Sequence, residues 1–341
     1  MGSVVVIGAG ISGLTIAWRL HRAGVNVTVL EKEAHPGGTM RTEIDGEWMI
    51  EAGPNSALET TPLFQQLFSE LGIVDQVRYA NKAADKRYIM RDGRLHALPM
   101  SPGAFLSSSL WTVGGKLRLL KEPFIGKARK EETIAEFVER RLGRESLDYA
   151  INPFVAGVYA GNPEQLSVRS AFPKLYALEE KYGGLIKGMI KGRKERKARA
   201  EQAKDRAKMF SFVKGMGTFP SAIAARLGNA VHCNSIIESV ERTDASNGRG
   251  AGFMVTYVSE GRTHSMVADV VILSTPAHNA SDIVKALSPG LSSILDHIYY
   301  PPVVEVFLGY LTKDVGIPLD GFGYLIPAVE RRKILGTIWS S

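Results

Sequence analysis

The sequence of 341 residues has one cysteine, Cys233. One thiol cannot close an intrachain disulfide, complete a four-thiolate zinc site or hold an iron–sulfur cluster. It fits a reducing, cytoplasmic setting. No stretch approaches the roughly 18 apolar residues of a membrane-spanning helix. The apolar run at residues 4–7 follows Met1 with no basic segment before it, so it does not read as a secretion signal, and the fold is expected to begin there. The seven histidines show no HExxH-like spacing, and no Ser-His-Asp set or paired carboxylates stand out. No metal site is expected, and no internal repeat is present.

Charge of one sign is equally scarce outside a single segment. The 42 Lys/Arg exceed the 35 Asp/Glu by 7. Residues 187–208 hold ten basic and three acidic residues, which accounts for that whole excess and leaves 32 of each sign elsewhere. This distribution excludes a basic body and, with it, nucleic acid as a partner. The segment itself reads as an exposed, partly disordered basic helix.

What is present is an ordinary globular composition, 45% hydrophobic and 23% charged, with enough apolar material for a sizeable core. The length is about twice that of a usual domain, so one large or two interleaved domains are expected. Residues 4–7 predict a buried strand, GAGISG a tight turn, residues 12–23 a helix stopped by Gly24, and residues 27–30 a second strand ending at Glu31. Thr61-Pro62 opens a helix that places Leu63, Phe64, Leu67, Phe68 and Leu71 on one face. Asp92-Gly93 marks a hairpin between residues 87–91 and 94–98. Residues 102–208 are mostly helical in pattern. Strands return at 236–240, 253–258, 264–267, 269–273, 303–310 and 324–326. The fold class is therefore α/β. A Rossmann-like nucleotide-binding part spans residues 1–85 and 210–285, a hairpin-plus-helical region is inserted at 86–209, and residues 286–341 belong to a mixed α+β substrate domain.

The glycines Gly8, Gly10 and Gly13 fall where a dinucleotide fingerprint needs them. They give the turn, the close approach of bare backbone to a diphosphate, and tight packing of helix on sheet. Glu31 follows at about the spacing expected of a ribose-binding acid, which disfavours a 2′-phosphate and makes NADP the least expected dinucleotide. Gly37-Gly38-Thr39-Met40-Arg41 lets the chain pass close to a bulky ligand, with Arg41 facing a phosphate or packing along a ring. The stretch from Glu51 to Ser56, EAGPNS, is a second constrained loop suited to closing on the same ligand.

The runs GAGISGL, EKEAHPGGTMRT and EAGPNS resemble the flavoprotein oxidases of the amine-oxidase and phytoene-desaturase superfamily. DKRYIMRDGRLHALP, NPFVAGVYAGNPEQLSVRSAFP, SFVKGMGTFP and DGFGYLIP are similar to the protoporphyrinogen oxidase family within it. The resemblance implies FAD and oxidation of protoporphyrinogen IX or coproporphyrinogen III in heme or chlorophyll biosynthesis, with oxygen as acceptor. It further implies that Gly8, Ala9, Gly10, Ile11, Ser12 and Gly13 meet the diphosphate, and that Glu31 and Lys32 lie on the adenosine side. Thr39, Gly53, Pro54, Asn55 and Ser56 would then run along the flavin, Gly38 and Arg41 would belong to the same cofactor-binding set, and Ile237 would touch the adenine end through its backbone. Arg87 would pair with a substrate propionate, and Tyr159, Ala160, Gly161, Phe322 and Tyr324 would line the macrocycle pocket. No catalytic side chain is assigned, because the flavin carries the redox chemistry.

The same resemblance implies a peripheral membrane habit, on the inner face of the cell membrane, and leaves room for a homodimer. Leu110, Trp111, Leu117, Leu119, Leu120 and Phe124, set among Lys116, Arg118, Lys121, Lys127 and Arg129, form either a bilayer-docking surface or the core and solvated faces of ordinary amphipathic helices. Family members continue beyond GTIWSS, so a C-terminal portion is expected to be missing. The rival functions are another flavin amine oxidase or carotenoid desaturase, and a non-catalytic porphyrin-binding or membrane-associated fragment.

Overall fold

The computed structural model describes residues 2–81, 86–192, 207–244 and 251–340. Most of the basic stretch at 187–208 therefore lies outside the described residues. The chain forms two compact units. The first comprises residues 1–80, 203–300 and 305–309, and the second residues 81–202, 301–304 and 310–341.

The first unit is built on a parallel sheet. Strand β1 (Ser3–Ile7) leads through the glycine turn into helix α1 (Ile11–Arg22), which returns to strand β2 (Asn26–Leu30). The sheet order is Val231–His232, β2, β1, Val270–Leu273, so strands about 266 residues apart in the sequence lie side by side. The continuous apolar run of β1 is explained by burial on both faces. Val4 and Val6 point into a core with Leu14, Ala17, Phe68 and Ile223, whereas Val5 and Ile7 meet Leu30, Val240, Val255 and Tyr257. The second face is covered by the antiparallel strands Ser235–Thr243, Gly252–Ser259 and Arg262–Ala268. On the first face, Phe68 packs edge-to-face against Phe210, Phe212 and Phe219 at 5.2–5.5 Å, the separation at which such rings attract. Glu70 on the Leu63–Leu71 helix ties this cluster to α1, accepting from Trp18 Nε1 at 3.0 Å and pairing with Arg19 at 3.1 Å. Leu63, expected on the packed face of that helix, is 59% exposed at its first position, whereas Phe64, Leu67, Phe68 and Leu71 pack as expected.

The second unit joins a sheet to a helical body. Lys86–Arg91 and Arg94–Ala97 form the expected hairpin, with positive φ at Asp92 (52°) and Gly93 (72°) as its two-residue turn requires. Gly321–Leu325 runs parallel to Lys86–Arg91, and Gly336–Ile338 closes the other side. In the helical body, Thr133 and Glu136 make a capping box that starts the Ile134–Leu142 helix. Beneath it lies an ionic network whose centre, Arg141 and Glu122, is fully buried, while Arg140 is partly exposed. Arg141 reaches Glu122 at 2.8 Å and Glu179, and Arg140 binds Glu132 and reaches Glu179 at 3.0 Å. Glu122 also accepts the backbone N–H groups of Leu185 (2.7 Å) and Ile186 (3.1 Å), capping the following helix.

Residues 303–310, expected as a strand, form none. They pair with no described strand, and Val304 is 86% exposed. A β-branched sequence favours extended backbone, but a strand exists only with a hydrogen-bonding neighbour. The contacts made here are through side chains. Phe307 lies 6.0 Å from Trp48, edge to face.

Candidate functional site

The turn after β1 is shaped by what cannot fit there. Gly8 has a φ of 102°, and a side chain on it would meet the Ser274 carbonyl oxygen at 2.7 Å. A Cβ on Gly13 would fall 2.1 Å from the Gly8 carbonyl oxygen. Gly10 is the opposite case, since a Cβ built there meets no protein atom within 4 Å. The first and third glycines are thus fixed by the protein's own packing. The middle one borders open space at the positive end of α1, where backbone N–H groups favour an anion. These residues fit a dinucleotide diphosphate.

Glu31 is buried at the end of β2. Its carboxylate accepts from Ala9 N at 2.7 Å and Glu33 N at 3.0 Å, so it ties the strand end to the turn. A carboxylate has about four acceptor positions, which leaves capacity for ribose hydroxyls. Lys32 is exposed and lies 3.7 Å from Glu33. Cys233 sits near this acid, and burial first, then the Glu31 charge, push its thiol pKa up, which makes it a poor nucleophile.

The second loop lies directly on the first. Gly37 N donates to Ala9 O at 2.8 Å, and a Cβ on Gly38 would come within 3.3 Å of Gly10 Cα. A Cβ on Gly53 would sit 2.0 Å from Thr39 O, and Ala52 N donates to Arg41 O at 2.8 Å. The structure therefore brings the three loops that carry Gly10, Thr39 and Gly53 together. Pro54, Asn55 and Ser56 lead from this contact into the strand Ala57–Glu59. Arg41 turns its guanidinium to Glu43 at 2.6 Å and reaches His35 at 3.3 Å. Ile237 stands beside a β-bulge of its strand, packed on the second core.

Sequence reasoning placed Glu51 in the second loop but not the contacts it makes. Glu51 accepts from Thr42 Oγ1 at 2.7 Å and from Met216 N at 2.8 Å, and Gly217 N donates to Thr42 Oγ1 at 2.9 Å. This clamp joins parts of the chain about 170 residues apart, and only the glycines of KGMGTFP hint at it. Burial, then the charge of Glu51, raise the pKa of Glu305. Thr275 is the other omission, a side chain packed beside Gly8.

In the second unit, Gly157 and Leu325 join the two expected pocket segments. A Cβ on Gly157 would lie 2.5 Å from the Leu325 side chain. Tyr159 ends the Asn152–Tyr159 helix against Phe172 at 5.7 Å, Ala160 follows at φ 46°, and Gly161 packs on Leu166 and Val155. Two open grooves of about 370 and 390 Å³ flank this helix end, within the range of small-molecule sites. Leu335 borders both, and Arg332 lies in the larger. Arg87 is exposed on its strand, and among the described residues no acid pairs with its guanidinium. Lys86 and Tyr88, by contrast, both bind Asp320, the tyrosine at 2.7 Å. Tyr324 pairs in register with Tyr88, and both rings face Trp339, at 6.4 and 5.8 Å. Strand alternation puts Arg87 on the opposite face, with Ile89 and Leu325. Phe322 occupies the irregularity between Gly321 and Tyr324.

The family model described as flavin containing amine oxidoreductase matches residues 11–337. The chain belongs to that family. Among curated members, a chloroplastic/mitochondrial protoporphyrinogen oxidase 2 of Arabidopsis thaliana is 31% identical over 99% of the chain and 71% of its own length. A chloroplastic protoporphyrinogen oxidase of rice, Oryza sativa subsp. japonica, is 34% identical over 99% of the chain, which spans 65% of the rice protein. A crystal structure from Exiguobacterium with a provisional protoporphyrinogen oxidase name superposes with a TM-score of 0.70 at 20% identity, over 98% of the chain and 72% of that protein. The family's fold is the α/β architecture described above. No described helix is long and apolar enough to cross a membrane.

Proposed function

We propose that the chain is an FAD-dependent oxidoreductase that oxidises a porphyrinogen, protoporphyrinogen IX or coproporphyrinogen III, with oxygen as acceptor. The observation that carries this reading is the bare-backbone cradle in which Gly10, Gly38 and the Glu31-bound turn converge. Bound flavin supplies the acceptor for successive two-electron oxidations of the macrocycle. The protein's contributions are positional. The Gly8–Gly13 turn holds the diphosphate with N–H groups, Glu31 orients the ribose, and the packed Thr39–Gly53 contact shapes the wall beside it. Anaerobic mixing of flavin-loaded protein with each porphyrinogen should bleach the flavin, and admitting air should yield fluorescent porphyrin with hydrogen peroxide. Turnover of an amine or polyene with both porphyrinogens untouched would replace this reading by the rival oxidase one.

Arg87 is the propionate anchor in this proposal. Its unpaired, exposed guanidinium supports the assignment, since it stays charged and forms a bidentate fork matched to a carboxylate. Arg87→Ala is expected to raise KM about tenfold or more while leaving the flavin spectrum unchanged. An unaltered KM removes Arg87 from the site.

The finer proposal is a peripheral membrane contact. Val113, Leu117 and Leu120 repeat along one face of the Val113–Leu120 helix, and Leu106 and Phe124 flank it, all exposed, with Phe124 at 89%. Lys121 and Arg129 are exposed nearby, a pattern suited to anionic headgroups. Leu110 and Trp111, in contrast, are buried. The double change Leu120→Ser and Phe124→Ser should abolish cosedimentation with phosphatidylserine vesicles without altering helix content. Undiminished binding would assign the surface to another role.

A further inference from the structure

The larger groove beside the Asn152–Tyr159 helix, about 390 Å³, has an apolar wall of Ala156, Ile326, Pro327, Ile334 and Leu335. Its polar side chains are Asn152, Asn162 and Arg332. Each asparagine has its side-chain oxygen engaged. Asn152 Oδ1 accepts from Ala328 N at 2.9 Å, and Asn162 Oδ1 from Glu164 N at 3.0 Å. The amide nitrogens, with two donors each, have no partner among the described residues. The bordering carbonyls of Asn162, Pro163, Pro327, Ala328 and Leu335 likewise accept backbone N–H groups. Arg332 is exposed in the groove and pairs with no acid among the described residues. Its neighbour Glu330 is taken by the hairpin turn, accepting from Asp92 N at 2.7 Å and Gly93 N at 3.3 Å. The loop that carries Arg332 is pinned at its base, where Ile326 N donates to Leu335 O at 2.9 Å, and again at Ala328 by Asn152.

The groove thus offers an apolar wall edged by N–H donors, one of them permanently charged, while its acceptors are already engaged. A neutral polar ligand needs acceptors as well as donors. The complement of this lining is an apolar ring with an acidic arm. Both porphyrinogens carry more than one propionate, so Arg87 alone leaves a carboxylate without a cation. Ala156 and Leu335 border both grooves, and Gly161, from the segment expected to line the macrocycle pocket, borders this one. We infer that Arg332, with the amide N–H groups of Asn152 and Asn162, receives a second propionate of the porphyrinogen, and that the apolar wall takes the ring edge bearing it. This inference rests on the porphyrinogen reading above and gives its substrate a second charged anchor.

The test titrates the flavin-loaded full chain with coproporphyrin III and with its methyl ester, reading the porphyrin absorption band. Arg332→Ala is expected to weaken the acid about tenfold, the loss of a charge-assisted contact, and to leave the ester within about twofold. Arg332→Lys, a point charge without the fork, should fall between the two. Because Arg332 is exposed, none of these variants should shift the melting temperature. Joining Arg332→Ala to Arg87→Ala should multiply the two losses, since the arginines hold different carboxylates. Unchanged binding of the acid by Arg332→Ala overturns the inference. So does an equal loss for acid and ester, which makes the contribution one of packing, or a double variant no weaker than Arg87→Ala. No binding of the acid by the unchanged protein also overturns it. Binding that follows the expected pattern without turnover of either porphyrinogen instead fails the oxidase reading, so the two failures are distinguishable.

Discussion

Arg141→Ala is expected to destabilise the second unit by about 3–5 kcal/mol, read as a lower urea midpoint of its helical transition. Arg141 and Glu122 are both 0% exposed, so removing the guanidinium leaves the Glu122 carboxylate with no cationic partner and Glu179 with Arg140 alone. The carbonyls of Gly126 and Gly183, which accept from Arg141 Nη2, lose a donor as well. An exposed pair such as Lys130 with Glu136, at 3.1 Å, sets the contrast, and Lys130→Ala should leave the urea midpoint essentially unchanged. Replacing the whole network by apolar residues is not expected to restore stability, as it sometimes does for buried pairs. Glu122 and Glu179 also hold the N–H groups of Leu185, Ile186 and Ala128, which apolar residues would leave unmet. Burial alone would raise the Glu179 pKa, yet Arg141, the Ala128 N–H and Arg140 together hold it below the ordinary 4.5. A carboxyl depressed in the folded state stabilises it above the ordinary value, and that contribution is lost as pH falls through the depressed one. The stabilisation that Glu179 contributes is therefore lost only in acid, below a pH of about 4.

The second large effect separates two glycines of one motif. Gly13→Ala is expected to cost about 3 kcal/mol and to prevent flavin uptake, because its Cβ would press on a backbone oxygen 2.1 Å away that no rotamer can move. Gly10→Ala should leave the melting temperature of the flavin-free protein within the small scatter of surface changes, yet weaken FAD at least tenfold. Its Cβ meets nothing of the protein, only the space assigned to the diphosphate. Equal effects of the two substitutions in both assays would mean that Gly10 has a packing role and that the cradle lies elsewhere.

The nucleotide-binding unit was readable in the sequence because its signals are local. Turn, helix and second strand occupy residues 3–30, and each glycine carries its own geometric demand. The Asp92-Gly93 hairpin was readable for the same reason. The Glu51–Thr42–Met216 clamp was not, because hydrogen bonds between distant segments leave no periodicity behind. Arg141, Glu122 and Glu179 look like solvated charges in sequence, and only the packed helices reveal that they are dry. Alternation likewise could not show that Arg87 and Tyr324 occupy opposite faces, since that depends on the register between two strands about 235 residues apart.

The stretch VVEVFLGYL at residues 303–311 has a consequence for the protein's colloidal behaviour. It contains one ionisable carboxylate, Glu305, and that group holds its proton more readily than an ordinary glutamate because of burial and the Glu51 charge. Falling pH therefore discharges the one carboxylate of this nine-residue, aggregation-competent sequence at a higher pH than an ordinary glutamate. Acid removes the charge that keeps this apolar stretch from pairing with another copy of itself.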